Sequence, residues 1–535
     1  MILSSLNRPQ NKVLTRHRLR PQLDALEDRL LLTAGDIDTT FGSGGVVLTS
    51  FATVEKGFRG TGGSGYAVQI QSDGKIVAAG EGLHNFALAR YNTNGSLDPT
   101  FGNGGKVVTT FGLNHQESVK AMAIQPDGKI VAVGSTGILD STTYEGHFAV
   151  ARYNANGTLD TTFGPSHNGL VTTSIVANDT ASAVVIQPDG KIVVAGQGGS
   201  QAPLYSPSST LSNALVRYNS DGTLDSSFGQ GGILTPTFVS GASQYFYDVA
   251  LESVNGTPEI VVAGAVPSPY SDVVVARFNL NGSLDTSFGS GGSVILGAQA
   301  IAFNGGRLAI QSDGKIIEAG SSSNHQGAVA RFNVNGQLDP TFNPNGPTPG
   351  VAIIAGAAGG GFWRGAVQPD GKIVAAGIGP SYQMLLSRLN ADGSPDPTFG
   401  TNGVVLDPLI GGAFARSVAI QSDGKIVTVG QATSSTTSGV ALAVARFLGD
   451  PPPAAHASAL ARGSTLVSVS IPLAAVPTIV RPAAPSAEAF DEALGAIALD
   501  RSPERPSPVV PGVVGLAPAR PWVRWSPQSR RSGQL

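Results

Sequence analysis

Between Gly35 and Asp450 one pattern recurs seven times, Q-P-D-G-K-I-V-x-A-G and then F-A-V-A-R-Y-N-x-N-G-x-L-D-x-T-F-G, with a period of about 60 residues. The copies are out of phase with the chain. The seventh stops at A-V-A-R-F-L-G-D (Ala443 to Asp450) without its G-x-L-D-x-T-F-G, and the missing residues stand at the front as G-D-I-D-T-T-F-G (Gly35 to Gly42). A chain that begins with the end of its own repeat is suited to a closed ring, in which the two ends share one structural unit.

Copy two shows how a unit folds. Ser118 to Gly134 holds two β-prone runs on either side of Pro126-Asp127-Gly128. Pro presets φ there and Gly accepts the left-handed position, so the runs form a tight hairpin. A variable loop leads to H-F-A-V-A-R-Y-N (His147 to Asn154), a second turn falls at Asn156-Gly157, and T-L-D-T-T-F-G follows as the expected fourth strand. Four-stranded antiparallel units repeated radially make a β-propeller. The expected fold is therefore all-β, a seven-bladed propeller over residues 35–450, closed by an N-terminal strand that completes the last blade. The Lys of the pattern recurs at Lys75, Lys129, Lys191, Lys315, Lys372 and Lys425, whereas copy four is degenerate, reading V-N-G-T-P-E-I-V-V-A-G (Val254 to Gly264).

With this pattern running through residues 35–450, the chain resembles the bacterial delta-60 repeat proteins, and at blade level it is similar to the NHL-type propellers. The resemblance implies a propeller-like repeat. It implies no activity and supplies no site residues.

Three residue types recur in every copy. An Arg ends each third strand (Arg90, Arg152, Arg217, Arg277, Arg331, Arg388, Arg446), and an Asp stands in each L-D-x-T-F (Asp98, Asp160, Asp225, Asp285, Asp339, Asp396 and the displaced Asp38). The spacing predicts a cross-strand ion pair in each blade, with Asp38 meeting Arg446; an exposed pair contributes about 0.2–1 kcal/mol, so its value is register. A Phe follows in each copy (Phe41, Phe101, Phe163, Phe228, Phe288, Phe342, Phe399) and is expected as a wedge between blades. A residue present seven times is a poor catalyst, because a reaction centre needs different groups in different roles. The N-x-N-G-x-L-D turn invites a calcium reading, but the first ligand position is occupied by Arg90, Arg152 and their equivalents, cations where an anion is required. The sialidase Asp-box also fails, since Ser220-Asp221-Gly222 lacks its spacer and Trp.

Composition limits the partners. The repeat region carries 20 basic against 29 acidic side chains, a net charge of −9, with no stripe of Lys or Arg to track phosphates, so nucleic acid is excluded as an expected partner. Cysteine is absent, which removes disulfides, thiolate nucleophiles and Cys-ligated zinc. No apolar run is long enough for a transmembrane segment. Residues 1–34 form a basic leader in which Leu23, Leu26 and Leu30 share one face of a short amphipathic helix. Its L-D-A-L-E-D-R-L-L-L-T-A (Leu23 to Ala34) resembles the L-E-x-R-x-L-L leader of large bacterial cell-surface proteins, and it is read as an export signal or as a helix on the propeller rim. Residues 451–535 open with Pro451-Pro452-Pro453, are rich in Pro and Ala, and are expected to be a disordered tail.

The P-D-G and N-G turns share one face and are uniform. The opposite face holds loops that vary widely, from Glu81–Asn85 in one copy to Gln197–Asn213 in another, and binding usually lives on variable loops of a rigid scaffold. His84, His115, His147, His167 and His325 are all assigned to these loops, with His115, His147 and His167 in neighbouring blades as candidate ligand contacts. No G-x-S-x-G, H-E-x-x-H, Walker or dinucleotide motif occurs. Two functional readings follow. The first is an exported, monomeric, non-catalytic scaffold at the cell surface or outside the cell, which binds a glycan or envelope polymer without cofactor or metal. The rival is a propeller-type hydrolase, lyase or lactonase with a metal at the channel mouth.

Overall fold

The second and third strands of each repeat read as unbroken apolar runs, such as Ile76-Val77-Ala78-Ala79, and such runs suit strands covered on both faces. In the computed structural model these four residues are fully buried, as are their equivalents Ile130 to Val133 and Ile192 to Ala195. The structure describes residues 33–51, 62–112, 115–139, 144–199, 211–254, 256–266, 272–296, 306–322, 324–407, 413–434 and 439–450. The expected leader helix and the Pro-rich tail of residues 451–535 lie outside them.

The described residues hold seven four-stranded antiparallel sheets. Blade one is β2 (Ser64–Ile70), β3 (Ile76–Gly82), β4 (Asn85–Tyr91) and β5 (Lys106–Thr109), in that order from the axis outward. Five more blades repeat this order. The seventh is β26 (Phe414–Ile420), β27 (Ile426–Ser434), β28 (Gly439–Phe447) and then β1 (Val46–Thr49), so the start of the chain supplies the outermost strand of the last blade. Its register runs from Val46 opposite Ala445 to Thr49 opposite Leu442. Thr49 also shares a 2.6 Å hydrogen bond with the hydroxyl of Tyr91 in blade one, tying the closing strand to the next blade.

The outermost strand is not where the repeat pattern placed it. L-D-x-T-F-G makes only one bridge back to the third strand, Leu97 to Tyr91 in blade one, and then turns away; the outer strand is the four residues after G-x-G-G. The cause is local. Asp98 Oδ1 accepts hydrogen bonds from the Thr100 amide (3.0 Å) and hydroxyl (2.7 Å), which compete with a sheet ladder. Gly102, Gly104 and Gly105 then follow with positive φ. The closing strand is shifted for the same reason, from Gly35–Gly42 to Val46–Thr49.

The inner strand carries a second departure from regular pairing. In six blades its ladder skips one residue, between Gly65 and Ala67 in blade one and between Ala415 and Ser417 in blade seven, a β-bulge at a fixed place. The Gly that ends V-x-A-G faces it across the sheet. A Cβ on Gly80 would lie 1.8 Å from the carbonyl oxygen of Ser64, and one on Gly134 would lie 1.9 Å from that of Ser118. Only glycine fits there.

Closure by β1 predicts a sharp contrast between truncations. A chain starting at residue 50 exposes the edge of β28 and loses Asp38 beneath Arg446, so its melting temperature should fall by about 10 °C or more. A chain ending at Ala457 keeps every described contact and should melt within about 2 °C of the full chain. Calorimetry of the two truncated chains checks this, and equal melting would remove β1 from the ring.

Candidate functional site

The recurring Arg sits at the foot of the third strand, beside the P-D-G hairpin. All seven are buried. Each donates from Nε to Oδ2 of its own blade's Asp at 2.7–2.9 Å, including Arg90 to Asp98, Arg152 to Asp160 and Arg446 to Asp38. Each guanidinium also stacks 4.4–4.8 Å over its own blade's Phe, among them Phe101, Phe163 and Phe41. These Phe are fully buried, and the N-x-N-G glycine of the next blade presses on them; a Cβ on Gly157 would come 3.0 Å from Phe101. Nη2 of each Arg donates to the Thr or Ser hydroxyl two residues after its blade's Asp, and Nη1 crosses to the neighbour. Arg90 donates to Ala155 O, Arg152 to Ser220 O, Arg217 to Leu280 O, Arg277 to Val334 O, Arg331 to Ala391 O and Arg446 to Thr93 O. The Lys of the pattern completes the group in six blades, as with Lys129 Nζ, 3.3 Å from Asp160. Because these pairs are buried, the exposed-pair magnitude does not apply to them.

Arg388 in blade six has no N-x-N-G turn to reach, because copy seven lacks it. Residues from the first and last stretches of the ring, Ala34, Gly35 and Asp450, fill the gap. Arg388 donates to Asp450 at 2.6 Å, and Lys372 reaches the same carboxylate at 3.0 Å. Gly400 N donates to Ala34 O at 3.0 Å, where its counterpart Gly102 N donates to Asn156 O. Gly35, with φ of 92°, takes the place of the turn glycine. These sites are architectural throughout.

His115 and His147 flank one side chain, Thr136, and His167 stands apart. His115 lies in β6 (His115–Ile124), bonded through Nδ1 to Thr136 Oγ1 at 2.8 Å and 3.9 Å from Glu117. His147 lies in β8 (Tyr144–Tyr153) opposite Thr136, within electrostatic range of Asp179 in the next blade. Both are strand residues at the variable end, not loop residues. His167 sits at the other end of the blade, in the turn between Phe163 and Gly169, so it cannot join them. The two acids are already occupied as linker caps. Glu117 accepts from Phe111 N at 2.7 Å, and Asp179 accepts from Ile175 N at 2.6 Å. His84 pairs with Glu81 at 3.1 Å in a tight turn. Among the described residues no three His, Asp or Glu are grouped to hold a metal ion.

The inner-strand bulge is where the blades differ. Counting five residues back from the Gln before P-D-G, or its Glu252 counterpart, gives Tyr66, Lys120, Ser182, Tyr247, Gly306, Trp363 and Arg416. Apart from Gly306, each of these is half-buried, and their contacts run around and across the axis. Lys120 Nζ lies 4.2 Å over the ring of Tyr66, and Arg416 stacks on Tyr66 at 4.4 Å and on Trp363 at 5.3 Å. Arg307, one residue past Gly306, donates to Ser182 O at 2.9 Å from two blades away. It also lies 3.8 Å from Asp248, whose carboxylate accepts from Leu308 N at 2.9 Å. Glu318 lies behind Gly306, fully buried with neither carboxylate oxygen hydrogen-bonded; burial and the charge of Asp248 push its pKa up to about 8. On the P-D-G side of this ring the inner strands line a cavity of about 440 Å³, with Met122, Val184, Val249, Leu308 and Arg364 in its wall. Sequence reasoning passed over this site because the bulge residue reads as one more strand position. The signal was present in an inner-strand column that fails to repeat.

The family model described as "Domain of unknown function (DUF5122) beta-propeller" matches residues 71–101, 125–163, 187–228, 259–288, 311–342, 368–399 and 421–450, one stretch in each blade. No curated protein sequence matches the chain. Solved structures similar in fold include a catalytically inactive virginiamycin B lyase from Staphylococcus aureus with quinupristin, at 10% identity, covering 75% of this chain and 99% of that one, TM-score 0.39. A protein of unknown function from Dyadobacter fermentans is 13% identical, covering 76% and 99%, TM-score 0.39. The polysaccharide lyase Uly1 is 11% identical, covering 75% and 94%, TM-score 0.41. What those proteins act on stays with them.

The buried acids set a pH profile with two limbs. Burial opposes ionisation of Asp160, Asp225 and Asp396, but the hydroxyl and amide bonds from Thr162, Ser227 and Thr398, with the Arg and Lys charges, outweigh it and hold each at about 2. Folded values below the ordinary 3.8 mean their stabilisation is complete above that pH and is lost as pH falls toward 2. Glu318 is raised from 4.5, so its stabilisation is complete below that value and is lost as pH rises toward 8. Urea midpoints should therefore peak at about pH 4–5 and fall steeply below about pH 3.5. Asp160→Ala should cost about 3–5 kcal/mol at neutral pH by leaving Arg152 buried without its carboxylate. A flat midpoint from pH 6 to 2 would remove these ion pairs from the stability of the ring.

Proposed function

We propose that the protein, whose seven blades each match the DUF5122 β-propeller model and close into one ring, is an exported, non-catalytic binding scaffold that takes a surface polymer or glycan at its channel mouth. One observation carries the reading. The Arg, Asp and Phe columns repeat in all seven blades, while one inner-strand position, a bulge in six of them, holds Tyr66, Lys120, Ser182, Tyr247, Gly306, Trp363 and Arg416. Divergent polar and aromatic groups on an otherwise invariant frame are what a specific ligand needs, and a concave axial opening is a usual place for one. The delta-60 resemblance fits this reading and brings no activity with it. Export rests on the leader's resemblance to those of cell-surface proteins; among the described residues no helix is long and apolar enough to cross a membrane.

The enzyme reading began from His115, His147 and His167; His115 and His147 share the neighbourhood of Thr136, but His167 stands at the opposite end, and among the described residues no three His, Asp or Glu are grouped to hold a metal ion. The scaffold reading is therefore favoured. An array of glycans and envelope polymers probed with the purified full chain tests it. Bound ligands should lose at least about tenfold in affinity in the Tyr247→Ala, Trp363→Ala double variant, with melting unchanged, and should be recovered chemically intact. Equal binding by the double variant would remove the channel mouth, and a cleaved ligand would remove the non-catalytic half. Fractionation of the native host should place the protein outside the cytoplasm.

A further inference from the structure

We propose, resting on the channel mouth as the binding site, that Lys120 and Arg416 form an oxyanion site there, receiving a carboxylate, sulfate or phosphate group carried by the ligand. The recurring Arg side chains of the blades are all matched by a carboxylate, and Arg307 has Asp248. Lys120 and Arg416 are different. Among the described residues neither has an ion pair within 4 Å; Glu81 acts on both only from farther away, and both are held on the ring of Tyr66 instead. Aromatic faces position a cation and leave its hydrogen-bond donors free.

Arg416 Nε supports this directly, since it is buried and has no hydrogen-bond partner. An unsatisfied guanidinium donor in a half-buried channel wall is costly, and a charge-assisted bond to an oxyanion is the interaction that satisfies it. The charges around it agree. Lys120 of blade two, Arg307 of blade five and Arg416 of blade seven gather at the axis of a repeat region whose net charge is −9. Burial and the neighbouring charge of Arg416 push the Lys120 pKa down to about 8, Glu81 opposes this, and Arg307 adds to it. A bound anion relieves that repulsion and draws a proton onto Lys120. Low-dielectric walls around a few like charges also concentrate the field at the mouth, which favours entry of an anion over a neutral group.

The test is calorimetric titration of the full chain with sodium sulfate, sodium phosphate and a galacturonate oligomer, at low ionic strength and pH 7 and 8. Saturable binding of at least one is expected, weakened at least about tenfold in both Lys120→Gln and Arg416→Gln. At pH 8, repeating the titration in buffers of different ionisation enthalpy should show proton uptake that disappears in Lys120→Gln. Melting curves keep the result readable if one variant is destabilised, because the other still reports. Binding by inorganic ions alone identifies a free-ion site, and binding by the oligomer alone identifies a polymer-borne carboxylate. No binding of any of the three, or equal binding by wild type and both variants, overturns the site. A polymer lost on the Tyr247→Ala, Trp363→Ala change but indifferent to Lys120→Gln and Arg416→Gln overturns the oxyanion assignment and leaves the channel mouth standing.

Discussion

One guanidinium per blade belongs to two blades at once. Arg152 shows the arrangement: it binds Asp160 and stacks on Phe163 in its own sheet, then donates to Ser220 O in the next. Taking such a group out of water costs several kcal/mol, and a buried pair returns little more than that cost. Net energy is therefore a poor account of why the pair is there. Its geometry is the better one, because the carbonyl that satisfies the third side of the guanidinium exists only when the neighbouring blade is docked in register. The turn glycine adds a steric condition at the same point. Hydrogen bonding, stacking and close approach thus all fix the angle between successive sheets.

Blade four shows how far the pattern bends without breaking. Its signature Lys is replaced by Glu259 and its Gln by Glu252, which places two acids where the other blades have a cation and an amide. Arg277 absorbs the change, since its NH1 donates to Glu252 at 3.0 Å while Nε keeps Asp285 at 2.7 Å. Burial raises the pKa of Glu252 against the pull of Arg277, and Asp285 is less enclosed than its counterparts. The crossing bond to Val334 survives. The contact between blades is kept even where the hairpin above it has drifted.

Much of this frame was legible in the sequence because its parts recur at fixed spacing. Periodicity exposes the blade count, the P-D-G hairpins and the Arg, Asp and Phe columns. The displaced Asp38 could be matched to Arg446 for the same reason. What periodicity hides is any feature that breaks regular pairing. The outer strand was misplaced because Asp98 bonds its own Thr100 and ends the ladder early, a local competition that a hydrophobic pattern does not report. The bulge was missed although its glycine was in plain view: the G of V-x-A-G recurs because a Cβ there would strike the opposite carbonyl. His167 was assigned to the wrong face because one copy has an irregular third turn, Gly164 to Gly169, that reads as a variable loop. The site itself is a column that does not repeat, and it becomes visible only when copies are aligned to find difference.

The seam between blades six and seven has a consequence for the site. Ala34 and Asp450 both stand in for the missing N-x-N-G turn, so the seam that closes the ring lies at the end that carries the P-D-G turns. The ring of bulge residues lies toward the other end of the inner strands. The contacts that close the circle and the groups that differ from blade to blade are therefore separated by the length of a strand, and the frame can be sealed without drawing on the residues that distinguish one blade from the next.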